Sequence, residues 1–244
     1  MLARRRFVSA ACTGGCDNRA MPRQPDSPEA ALRMLLDQAG VSFEERLRQW
    51  LDAQTFVGGK RVAKQPLPAL PEHAAATVHH VKVSLHGAKP PVWRRLEIPS
   101  TMTLDRVHAV LQTAFGWYNA HLHSFETVYG EFGAPDCGDW TDHGDESAVT
   151  LAQVAPTEKA KVVYVYDFGD DWRHDIVVEK IRPGEPCVSY PRCTGGKGGA
   201  PEEDSGGIWV FNSERAADGT RPDRIDSGAL TAAFAADRSL ATHS

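Results

Sequence analysis

The sequence predicts an α+β fold: an antiparallel sheet with a packed helix, preceded by an N-terminal helical hairpin. Three observations carry this reading. Apolar residues recur at helical spacing between Ser27 and Gly59, the period drops to two from Thr77 onward, and one sharply bounded helical pattern, Thr103 to Gly116, interrupts the strand patterns.

Asp26-Ser27-Pro28-Glu29 is a helix start: a capping residue, Pro at the first helical position and an acid in the first turn. Ala31, Leu32, Leu35, Leu36 and Ala39 then share a face, and Gly40 supplies the stop. Ser42 and Glu45 form a capping box for a second helix with Phe43, Leu47, Trp50 and Leu51 on one face, ended by Gly58-Gly59. The Pro-rich stretch Lys64 to Pro71 is an extended linker. Val81, Val83 and Leu85 alternate with Lys82 and Ser84, and Gly87 to Pro91 turns this strand into a second, Val92 to Ile98. Thr103 caps the helix that follows, with Asp105 in its first turn and Leu104, Val107, Leu111 and Ala114 on one face. A strand from Leu122 to Tyr129, an acidic loop from Glu131 to Glu146 and a helical turn from Thr150 to Val154 come next. Lys161 to Tyr166 and Trp172 to Ile181 then form a hairpin turning at Phe168-Gly169-Asp170-Asp171. Pro186 to Phe211 reads as a long loop, and Gly228 to Leu240 as a weak helix. The expected organisation is a disordered basic tail (1–25), the helical hairpin (26–60), the Pro-rich linker (61–76), an α+β domain (77–211) and a weakly structured C-terminal tail (212–244).

With 244 residues and 41% hydrophobic content, the chain suits one good domain with an appendage. A net charge of −5 argues against broad electrostatic attraction to DNA or to an anionic membrane. The five cysteines, Cys12, Cys16, Cys137, Cys187 and Cys193, are odd in number and irregularly spaced, which fits a reducing compartment. No apolar run approaches the ~18 residues of a membrane span, so a cytoplasmic location without membrane contact is expected. Arg4-Arg5-Arg6-Phe7-Val8 resembles a twin-arginine signal, but its apolar stretch stops at Cys12, short of the ~7–15 residues an export signal needs. It is read as a basic tail, with Met21 an alternative start.

His121 and His123, two apart on a strand, face the same way, and His174 lies on another strand. Such a set could hold a divalent metal, the one cofactor the residues suggest. The alternative is that these imidazoles bond acids and carbonyls beside an aromatic layer. Asp167, Asp170 and Asp171 crowd a hairpin turn, where carboxylates could bind a cation or do acid/base work, or simply cap turn amides. Trp172 and Phe168 flank that turn as packing residues. Lys82, Lys89, Arg94 and Arg95 with Trp93 form the basic and aromatic stretch of the sheet, suited to phosphates and stacked bases or to a salt-bridged solvated face. Gly195-Gly196-Lys197-Gly198-Gly199 lacks the residue order of a phosphate loop, and no nucleophile elbow or kinase motif is present.

Several stretches are matched together: Lys89-Pro90-Pro91-Val92-Trp93-Arg94-Arg95, Gly116-Trp117 with His121-Leu122-His123, Val149-Thr150-Leu151, and Tyr166-Asp167-Phe168-Gly169-Asp170 with Trp172 and His174. Tyr190-Pro191-Arg192-Cys193, Gly196-Lys197-Gly198, Pro201-Glu202-Glu203-Asp204, Gly206-Gly207 and Trp209 complete the set. On these residues the chain resembles the plasmid pRiA4b ORF-3-like family, often labelled insertion-element passenger proteins of a TnpR type. The resemblance runs from about Thr77 to Phe211 and implies the α+β fold of a small family of bacterial mobile-element proteins to which no activity is assigned. The family commonly carries a cysteine where Ala200 stands, which leaves Cys193 without that thiol partner, and its C-terminal helical region is eroded here after Asn212. The expected function is a non-enzymatic accessory or binding module with a protein or nucleic-acid partner from the element. A metal-dependent enzyme using His121, His123 and His174 is one alternative, and a nucleic-acid accessory using Lys82, Lys89, Arg94 and Arg95 is the other.

Overall fold

A computed structural model describes residues 54–134, 143–218, 224–237 and 240. The chain divides into compact units Met1–Gln49 and Trp50–Ser244, and every described residue belongs to the second. The expected basic tail, the helix starting at Asp26 and the helix starting at Ser42 lie outside the described residues. No described helix is long and apolar enough to cross a membrane.

Strands β1 (Gln54–Val57) and β2 (Lys60–Ala63) form an antiparallel hairpin. Gly58-Gly59 is therefore a strand turn, with φ of 59° and 73°, and not the end of a helix. The hairpin rests on the main sheet: Thr55 donates its hydroxyl to the Thr127 carbonyl, and the Gly58 amide donates to Glu126 at 2.7 Å.

The main sheet contains β3 (Thr77–Leu85), β4 (Trp93–Pro99), β5 (His123–Thr127), β6 (Gly130–Gly133), β7 (Gly144–Asp145), β8 (Lys161–Tyr166), β9 (Trp172–Pro183) and β10 (Arg192–Lys197). Their order is β10-β4-β3-β9-β8-β5-β6-β7, antiparallel throughout except for β6 with β7. The two-residue period sends Val81, Val83, Leu96, Ile98, Phe125, Val162, Tyr164, Tyr166, Trp172, Ile176 and Val178 into one core. Helix α1 (Leu104–Phe115) covers that face with Leu104, Val107, Leu111, Ala114 and Phe115, and Gly116 ends it at φ 75°. Thr103 supplies the extended cap backbone without the expected side-chain bond. The short helix α2 (Leu151–Val154) carries a Thr150–Gln153 capping box.

The stretch read as a long loop contains β10 and the start of α3 (Gly207–Asp218), and the weak helix expected from Gly228 is α4 (Ser227–Ala236). Phe211, Phe234 and Leu240 enter the core, and Thr231 bonds the Cys193 backbone on β10. Helical structure thus continues beyond Asn212 instead of eroding there.

Polar groups inside this core are held by specific partners. Arg94 is 4% exposed and gives its guanidinium to the carbonyls of Ala114, Trp93, Lys197 and Gly198, while Phe115 stacks 5.0 Å away. Burial lowers its pKa to about 10. His174 is fully buried among Phe115, Trp117 and Tyr164, and donates Nδ1–H to the Trp172 carbonyl. Desolvation lowers its pKa to about 3.

Two expectations follow. A chain beginning at Trp50 should melt cooperatively like the intact protein. One beginning at Pro71 lacks the β1–β2 hairpin, leaves Glu126 without its Gly58 amide, and should melt several degrees lower, by ~1–2 kcal/mol of lost contacts; equal melting temperatures would contradict this. Secondly, His174 stays neutral in the fold, whereas in the unfolded chain it binds a proton below about 6.5. Stability from this group is therefore present above pH ~6.5 and falls by ~1.4 kcal/mol per pH unit toward pH ~3. Denaturant unfolding from pH 6.5 to 4 should show a slope reduced by about one proton in His174→Phe. Identical slopes in the two proteins would contradict a buried neutral imidazole.

Candidate functional site

Three stretches distant in sequence meet at the end of β8. The α1–β5 connection brings His121, the β8–β9 turn brings Asp167, and the segment between β10 and α3 brings Glu203 and Asp204. The junction is the Tyr166 hydroxyl. It accepts the amides of Ala120 at 2.9 Å and His121 at 3.3 Å, and donates to the Glu203 carboxylate at 3.0 Å. Burial, and then the bond to Glu203, push the Tyr166 pKa up to about 12, so the hydroxyl keeps its proton across the ordinary pH range. Glu203 also accepts the Tyr118 amide at 2.7 Å. Trp117 stacks on Tyr166 with centroids 4.9 Å apart and donates its indole N–H to the Pro201 carbonyl.

The turn is fixed as tightly. Asp167 Oδ1 accepts the amides of Gly169 and Asp170, and the Asp167 carbonyl accepts the Asp171 amide at 2.7 Å. Asp170 in turn accepts the Gly206 amide at 2.9 Å. A Cβ on Gly207 would lie 2.8 Å from the Asp170 carbonyl oxygen, and its φ is +78°, so glycine is required there.

His121 Nε2 lies 3.1 Å from Asp204 Oδ1, 3.5 Å from Glu203 Oε2 and 3.6 Å from Asp167 Oδ2. The nitrogen is shielded from solvent yet makes no hydrogen bond of good geometry. Ligand atoms of His121, Asp167 and Asp204 all fall within 4.8 Å of one another. Asn119, Asp167, Asp171 and Asp204 all take positive φ, between 53° and 58°. Asn and Asp enter this left-handed region more readily than other non-glycine residues, and here it shapes the loops around the site.

Behind the site lies a second polar layer. His108 on α1 and His123 on β5 stack at 3.6 Å with a 7° tilt. His108 Nε2 donates to Asn119 Oδ1, its Nδ1 accepts from the Tyr164 hydroxyl, and Gln112 donates to that hydroxyl. Burial and the adjacent His123 lower the His108 pKa to about 3. His123 Nε2 bonds Glu146 at 2.8 Å. Asn119, held by His108 and by Gln112, sits two residues before His121 and so ties helix α1 to the loop carrying it.

The expected three-histidine set is thus distributed among different partners: His121 meets the carboxylates, His123 stacks on His108, and His174 lies in the aromatic core. Asp170 anchors the Gly206 loop, while Trp117 and Trp172 are core residues. In the basic stretch, Trp93 lies between Lys82 and Arg95, 5.5 and 5.1 Å from its ring. Arg95 is engaged by both oxygens of Glu179, Arg94 is buried on carbonyls, and Lys89 meets Asn212 through its backbone amide. Sequence reasoning missed Tyr166, Glu203, Asp204 and His108 as site residues. Glu203 and Asp204 stand in the matched Pro201-Glu202-Glu203-Asp204 piece, but nothing local assigns them a neighbour. His108 lies on the apolar face of α1, where a histidine reads as core.

An uncharacterized protein, y4hQ, of Sinorhizobium fredii (strain NBRC 101917 / NGR234) is 40% identical over 138 residues, which is 56% of this chain and 70% of that protein. The crystal structure of a protein of unknown function, MM3350, from Methanosarcina mazei Go1 matches with a TM-score of 0.54 and 35% identity, over 58% of this chain and 81% of that one. The family model described as plasmid pRiA4b ORF-3-like protein matches residues 77–224, a span that includes His121, Asp167, Glu203 and Asp204. The chain belongs to the plasmid pRiA4b ORF-3-like protein family.

Proposed function

We propose that this protein is a divalent-metal-binding module whose ion is held by His121 Nε2, Asp167 and Asp204, with Glu203 beside them. The observation carrying the proposal is the shielded His121 nitrogen facing three carboxylates. Ligands sharing an ion with bonds near ~2.1 Å lie ~3–4 Å apart, and these atoms are within 4.8 Å, so a small rotation of the exposed Asp204 closes the set. One imidazole with two or three carboxylates suits Mn²⁺, Fe²⁺ or Zn²⁺ better than the all-oxygen preference of Ca²⁺ or Mg²⁺. The convergence of three stretches distant in sequence on these atoms supports a site maintained for a ligand. Coordination positions not filled by protein would take water or an oxygen of a bound partner. The role as an accessory of a mobile element is supported by the resemblance to insertion-element passenger proteins, and the metal site adds a chemical handle to it. The nucleic-acid reading has weaker support, because Arg94 and Arg95 are committed to protein acceptors.

Titration of metal-free protein with Mn²⁺ and Zn²⁺ should give one site per chain. Asp167→Asn retains the turn bonds and the φ preference but should weaken binding by about 100-fold, more than a change outside the ligand set. His123→Gln should leave affinity within about threefold. No binding of either ion, or equal affinity in Asp167→Asn, would overturn the proposal.

A further inference from the structure

The sheet face turned away from α1 carries a second concavity. It is open, has a volume of about 320 Å³, and is lined by Ser124, Glu126 and Arg173 on the strands and by Phe168 and Asp171 from the β8–β9 turn. Small-molecule sites range over ~300–1,000 Å³, so this one suits a small ligand or a single side chain.

Its charges determine what fits. Arg173 donates Nε–H to Asp171 and NH1 to Glu126 at 2.8 Å, so the guanidinium is already divided between two carboxylates. Glu126 also takes the Gly58 amide on its other oxygen, so each of its oxygens already has a protein donor. Asp171 and Glu131, the latter also in the wall and paired with His143, have side chains 55% and 29% exposed and keep acceptor capacity toward the cavity. Three carboxylates against one guanidinium leave an excess of negative charge. Ser124 is 5% exposed and lines the cavity, yet its hydroxyl has no hydrogen-bond partner among the described residues. The hydroxyl therefore opens onto the cavity with both its donor and its acceptor capacity available to a ligand. Phe168, 47% exposed, supplies an aromatic surface on which a cation can lie.

We infer that this cavity binds an alkylammonium group, from a free diamine or from a lysine side chain of a peptide. The ammonium donates to Asp171, Glu131 and the Ser124 hydroxyl, and the methylene chain packs on Phe168 and Val165. Anionic ligands are disfavoured, because the one guanidinium in the wall is already neutralised. The inference stands apart from the metal reading, sharing with it only the β8–β9 turn.

Calorimetric titration of the intact protein tests it with 1,4-diaminobutane and with N-acetyl-lysine amide, against 1,4-butanediol and succinate as neutral and anionic controls. One amine per chain should bind, about tenfold more weakly in Ser124→Ala and in Asp171→Asn, the latter chosen because Asn tolerates the φ of 53° at this position. Tighter binding of the diamine identifies a free amine, and tighter binding of the lysine amide identifies a peptide; both support the site. Absence of binding by both amines, preferential binding of succinate, or amine affinity unchanged in both variants would overturn it.

Discussion

The Tyr166 hydroxyl is the constraint on which the site depends. It is an acceptor for two backbone amides of the α1–β5 loop and a donor to Glu203, so three chain segments are registered against one oxygen. Removing it would leave two amides and a carboxylate oxygen short of a partner, at ~1–3 kcal/mol for each buried group left unsatisfied. The tyrosine is itself immovable: it is 1% exposed, paired with Trp172 across β8 and β9, and stacked on Trp117. Sheet register is thereby converted into the separation of His121 from its carboxylates.

The second layer explains why the loop is rigid from the helix side too. His108, Asn119, Gln112 and Tyr164 form a closed set of bonds with a consistent direction of donation, and the low pKa of His108 keeps it closed at neutral pH. Buried polar networks of this kind stabilise only when every member is paired. Here the network fixes the backbone two residues from His121.

Much of the fold was legible because its signals are local. The alternation in Val81-Lys82-Val83-Ser84-Leu85 and the Thr103 to Gly116 helix depend on neighbours within a few residues, and both appear where the pattern puts them. Gly58-Gly59 misled because the same pair ends a helix or turns a hairpin, and the choice is made by Thr127 and Glu126, far away in sequence. Helix α3 was hidden in a Gly- and Pro-rich stretch, and α4 showed only weakly because its small apolar residues make no one-sided stripe; Phe211 and Phe234 are the large side chains that anchor them. The site was half legible for a related reason. His121 and Asp167 stand out by residue type, while Glu203 and Asp204 sit in a Pro- and Gly-rich segment whose place is set by Tyr166 and Trp117.

The most direct test of this account is the metal affinity of Tyr166→Phe, which removes one oxygen and no proposed ligand. If the hydroxyl sets the spacing of His121 and the carboxylates, Mn²⁺ affinity should fall by about tenfold or more, the cost typical of losing a partner that orients ligands, while the protein still melts cooperatively. Affinity equal to that of the unsubstituted protein, in a variant that remains folded, would contradict it.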